Sequence, residues 1–135
     1  MDIYCIEEFK NEYERLIRKK SYKELEKEII EHFLLGDPQS IITGKRLNNS
    51  ADRPYIKKRL DGSGGYRVYF YAVIYNECIY LMFVHPKTGS LGGENITDEA
   101  KAMFYKSVLH CIENRLLYKL SHIERERIVF TKIEQ

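Results

Sequence analysis

"YRVYFYAVIYNECIYLMFVHP", residues 66–86, decides the fold. Residues 66–75 and 78–85 are rich in Tyr, Val, Ile and Phe, and only a short polar segment parts them, so they read as a β-hairpin. Alternation gives each strand two faces. In the first strand Val68, Phe70, Ala72 and Ile74 share the face that belongs in a core. Arg67, Tyr69, Tyr71, Val73 and Tyr75 share the other, an amphipathic face on whose tyrosine rings nucleic-acid bases could stack. Arginine stays charged at any physiological pH, so its place in this strand asks for a reason. The turn decides which residue faces it. A two-residue turn at Asn76-Glu77 sets His85 opposite Val68 on the core face. A three-residue turn, or a bulge, sets His85 opposite Arg67.

Upstream, "YIKKRL" (55–60) reads as a further strand. Its period places Lys57 and Arg59 on one face and Lys58, a solubilising charge, on the other. From Lys45 to Arg67 there are seven cations (Lys45, Arg46, Arg53, Lys57, Lys58, Arg59, Arg67) against the two acids Asp52 and Asp61. The chain as a whole carries only +2, so this is a local surplus and a candidate footprint for a polyanion.

The N-terminal segment opens with a short strand over 2–6. A helix follows from Phe9 with Tyr13, Leu16 and Ile17 on one stripe. Ser21 and Glu24 have the spacing of a capping box for a second helix that turns Tyr22, Leu25, Ile29 and Phe33 inward. "GDP" at 36–38 stops it. The short gap between the two helices predicts an antiparallel hairpin, and 39–54 reads as loop with one short strand. At the other end Thr97 caps a helix with Asp98 and Glu99 in its first turn. Ala100, Phe104, Val108, Cys111 or Ile112, Leu116 and Leu120 extend its stripe to about residue 120. "RIVFTKI" (127–133) alternates as a last strand. The expected class is α+β: an N-terminal helical hairpin on an antiparallel sheet, with an additional long C-terminal helix.

The 135 residues are 44% hydrophobic and 31% charged, which suits one globular domain and excludes a disordered chain. No apolar run is long enough to span a bilayer, and the N-terminus lacks the pattern of a secretion signal. Three cysteines (Cys5, Cys78, Cys111), far apart and odd in number, suit reduced thiols, so a cytoplasmic location is expected.

The order of these elements and the residues on them resemble the RelE/ParE superfamily of bacterial type II toxins. The likeness covers most of residues 1–87. It rests on "FKNEYERL" (9–16) after a short strand, the basic joint "RKKSYKEL" (18–25), the strand "YIKKRL", then "GGYRVYF" and a hydrophobic strand ending in "HPK". The resemblance implies a helical hairpin packed on an antiparallel sheet and, in many members, cleavage of messenger RNA on the ribosome, with a cognate antitoxin as silencing partner. It implies no membrane partner and leaves a homodimer open. Some relatives place a glutamate base in the loop before the basic strand. Here that loop reads "GKRLNN", without a carboxylate. A second member type, like ParE, binds a protein target such as DNA gyrase and needs no base at all. A third reading is a catalytically degenerate interaction module of the same fold whose cations are merely surface.

Cleavage of RNA through its own 2′-hydroxyl requires a base, cations for the charge on the non-bridging oxygens, and an acid for the leaving 5′-oxygen. Arg67 is the candidate phosphate clamp, with Lys57, Arg59, Lys45 and Arg46 as further phosphate contacts and Tyr69 and Tyr71 as stacking rings. His85, in the titration range for proton transfer, and Lys87 are the candidate acid and base. "GSLGGEN" (89–95) matches no phosphate-loop pattern and reads as a mobile loop. The four histidines (His32, His85, His110, His122) show no paired spacing with acids or cysteines, so neither a metal nor another cofactor is expected.

Overall fold

A computed structural model of the chain describes residues 1–61, 65–88 and 96–134. The glycine-rich segment read as a loop before the last helix therefore lies outside the described residues. The class is mixed α+β. A seven-stranded sheet has the order β2-β3-β4-β5-β1-β6-β7, where β1 is Asp2–Cys5, β2 Lys45–Arg46, β3 Tyr55–Leu60, β4 Tyr66–Val73, β5 Cys78–Pro86, β6 Tyr118–Ile123 and β7 Arg127–Lys132. The sheet is not wholly antiparallel, because β1 runs parallel to β5, with Ile3 opposite Ile79 and Cys5 opposite Leu81. Apolar residues on both strands pack in a central position, where such pairing is at home.

The expected hairpin of two regular helices is not formed. α1 (Glu7–Ile17) is followed by a 3₁₀ turn (Lys20–Tyr22), a short α2 (Glu24–Ile29) and a π turn (Ile30–Leu34). The capping box fails because Ser21 lies inside the 3₁₀ turn, and no side chain caps α2 at Lys23. Burial of Tyr22, whose hydroxyl donates to the Thr88 carbonyl at 3.0 Å, holds the turn in this form. Residues 38–41, read as loop, make a short helix, α3 (Pro38–Ile41). Asp37 caps it by accepting from the Ser40 amide, and proline occupies its first turn.

The long C-terminal helix is shorter than its stripe predicts. α4 runs Asp98–Glu113, capped by Thr97, and stops at Asn114. Arg115 then takes a left-handed conformation (φ 57°) and the chain enters the β6–β7 hairpin. Leu116 and Leu120 fit helical spacing, but Leu120 also fits alternation with Tyr118 and His122. Strand pairing with β1 and β7 wins, burying Leu120 and leaving Leu116 exposed.

Two apolar layers result, one on each side of the sheet. Phe9, Leu16, Leu25, Ile29 and Phe33 meet Val68, Phe70, Ile79 and Leu81 on one side, where Phe33 and Phe70 pack edge to face at 5.4 Å. On the other, Val108 with Phe104, Tyr105 and Ile112 of α4 covers Tyr55, Tyr69, Tyr71, Tyr80 and Met82. Among the described residues no helix is long and apolar enough to cross a membrane.

Candidate basic site

The site is a row of cations across three strands. Register sets Arg59 of β3 directly opposite Arg67 of β4, and Arg67 opposite His85 of β5. One step along, Lys45 of β2 faces Lys57, which faces Tyr69. Two irregularities together produce the Arg67–His85 pairing. A four-residue connection, a 3₁₀ turn over Ile74–Asn76 closed by Glu77 at φ 54°, offsets the register one way. A bulge beyond Tyr69 then offsets it back, since Phe70 pairs with Leu81 while Tyr69 pairs with Phe83. Without the bulge Val84 would stand opposite Arg67.

Gly44 brings the β2 cation into place. Its φ is +138°, and a Cβ there would sit 2.6 Å from the Lys57 carbonyl oxygen, so only glycine lets the chain approach β3 this closely. A Cβ added at Gly65 (φ +83°) would lie 3.6 Å from Arg59 Nε and 3.7 Å from Arg67 Nη1, and the Gly65 carbonyl accepts from the Lys87 amide at 3.1 Å, which fixes Lys87 beside the same sheet end. Gly44, Lys45, Lys57, Arg59 and Arg67 line one pocket of about 240 Å³. A larger hollow of about 570 Å³ adjoins it through Lys45, between Arg46 and Tyr55 on the sheet side and Lys101 and Tyr105 of α4. Arg46 donates to the Ser50 carbonyl at 3.0 Å and so also braces its own loop.

Among the described residues no carboxylate forms an ion pair with Arg59 or Arg67. Like charges directly opposite across a sheet destabilise it. Partial burial, then the neighbouring Lys101, Arg67, Lys87 and Lys45, lower the Lys57 pKa below its ordinary value. Burial and Arg59 act on Arg67 in the same direction.

Four expectations from the sequence are corrected. Tyr69 and Tyr71 are 0% and 2% exposed beneath α4, so they build the second core and offer no ring to a base. Strand periodicity shows which face a residue takes but not whether a later helix covers it. Lys58 is a buried strut and no solubilising charge. Its Nζ donates to the Ser40 and Ile41 carbonyls at 2.6 and 3.2 Å and to Thr43 Oγ1, and it sits over the Phe33 ring. It satisfies carbonyls at the C-terminus of α3 that would otherwise be orphaned. His85 is 7% exposed, stacked on Tyr69, with Nδ1 at 3.2 Å from the Pro86 carbonyl. Its Nε2 has no hydrogen-bond partner among the described residues. The histidines are also not all apart from acids, since Glu28 and His32 meet on one helical face with Asp61 beside them. The i, i+4 spacing of Glu28 and His32 was the available signal. Lys101 was missed outright, because only the docking of α4 brings it near Lys57.

Burial, reinforced by Lys87, Arg67 and Lys57, lowers the His85 pKa below its ordinary 6.5 although the Pro86 carbonyl opposes the shift. The unfolded chain therefore takes up this proton more readily than the folded one. The stability contributed by neutral His85 is complete above pH 6.5 and is lost as pH falls from there toward the folded value. Urea midpoints measured from about pH 7.5 to 5 are expected to fall on the acid side in the wild type and to fall less in His85→Leu. Equal slopes in the two proteins would exclude His85 as the source.

No family model, curated protein or solved structure matches the chain.

Proposed function

We propose that the Lys45–Lys57–Arg59–Arg67 row binds the phosphates of single-stranded RNA, and that the chain is a RelE-like endoribonuclease toxin of the bacterial cytoplasm, silenced by a cognate antitoxin. The observation that carries this reading is the register-opposed Arg59–Arg67 pair in a phosphate-sized pocket, where among the described residues neither arginine forms an ion pair with a carboxylate. A fold keeps a like-charged pair at a cost to stability when a polyanion neutralises it in use. In the cleavage step the 2′-oxygen attacks phosphorus, its proton passes to a base, and the 5′-oxygen leaves with a proton from an acid. The two guanidiniums offset the charge gathering on the non-bridging oxygens. Lys57, whose pKa is lowered first by partial burial and then by the neighbouring cations, suits the base, and Lys87 at the same sheet end suits the acid. His85 lies too deep to touch the substrate.

The burial of Tyr69, Tyr71 and His85 favours one rival, a ParE-like toxin that uses the cations to bind a protein target. Induced expression in a bacterial host, with mapping of messenger RNA 5′ ends, separates the two. New codon-spaced ends with the wild type support the ribonuclease. Growth arrest with intact messages gives the case to the binder.

A further inference from the structure

Away from the basic row, Glu28 on α2, His32 on the π turn and Asp61 just past β3 each offer one ligand atom, and these atoms lie within 4.8 Å of one another. Glu28 Oε2 is buried, and at 3.2 Å from His32 Nε2 it makes no aligned hydrogen bond. A Glu–His ion pair alone would leave a second carboxylate, Asp61, converging on the first for no gain. A second observation points the same way. Tyr66 is 0% exposed, its hydroxyl has no hydrogen-bond partner among the described residues, and the charges of Glu24 and Glu28 act on it. Tyr66 stands opposite Leu60, the residue before Asp61, so this stranded hydroxyl belongs to the same corner of the fold. Buried polar atoms without partners call for something that satisfies them.

We propose that Glu28, His32 and Asp61 bind a divalent first-row transition ion such as Zn²⁺. One imidazole and two carboxylates are a donor set for zinc, iron or manganese, whereas calcium and magnesium take oxygen ligands alone. The ion's double positive charge offsets both carboxylates. Three protein ligands leave a coordination position for water. The ion would clamp the helical layer to the end of β3, two residues beyond Arg59.

Full-length protein stripped with a chelator would be titrated with Zn²⁺ by calorimetry and with Co²⁺ by visible absorption. Binding of about one equivalent is expected, with cobalt d–d bands and no thiolate charge-transfer band, because no cysteine is in the set. Binding should weaken at least about tenfold in both His32→Ala and Asp61→Asn. Asp61 is exposed, so Asp61→Asn leaves the fold intact and circular dichroism should match the wild type. Added Zn²⁺ should raise the melting temperature of the wild type and not that of Asp61→Asn. Absence of binding, a thiolate band, or unchanged affinity in both variants would overturn the site. None of these readouts depends on RNA.

Discussion

Arg67→Ala will bind single-stranded RNA about 10- to 100-fold more weakly than the wild type and will not arrest growth, the loss expected of one charge-assisted fork to phosphate. The slope of log affinity against log salt should shrink by about 0.7 for the one phosphate contact removed. Its stability should stay level or rise slightly, and this is the telling part. Arg67 stands opposite Arg59 with no ion-paired carboxylate among the described residues, so removing it relieves a repulsion worth a few tenths to about 1 kcal/mol. An arginine kept for structure would show the reverse, with a clear fall in the denaturation midpoint and little change in RNA affinity. Filter binding at several salt concentrations beside urea unfolding of both proteins decides between these outcomes. Undiminished affinity in the variant would remove the proposed clamp.

Phe70→Ala is expected to have the largest effect on the fold, a loss of about 3–5 kcal/mol. Phe70 is 0% exposed and meets Phe33 edge to face, so truncation opens a void where β4 joins the helical layer. A domain of this size has about 5–15 kcal/mol in total, which leaves the variant marginal at physiological temperature. A shift of the urea midpoint below that of a Val108→Ala control, which trims the opposite layer by less volume, would fit this account. A loss under about 1 kcal/mol would mean that the first layer is less closely packed than the contacts between its rings imply.

The hairpin illustrates how far the sequence could be read. Alternation along β4 correctly assigned Val68, Phe70 and Ala72 to one face and Arg67, Tyr69 and Tyr71 to the other, because side chains on a strand alternate whatever surrounds it. The same rule set Lys57 and Arg59 together. It gave no length for the turn, since several turns satisfy "YNEC", and no bulge at all. The Arg67–His85 pairing depends on both. At the C-terminus, Leu116 and Leu120 satisfied two periods at once, and the partner strands chose between them.

The composition and order of residues by themselves determined an α+β chain, the faces of its strands and a concentration of cations between Lys45 and Arg67. These are properties of local geometry and covalent order. Only the tertiary structure decided that α4 would bury the tyrosine face, that Lys58 would serve as an internal strut, and that Glu28, His32 and Asp61 would meet. Each of these depends on two segments far apart in sequence being packed together, and the energy of that packing belongs to the pair and to neither segment alone.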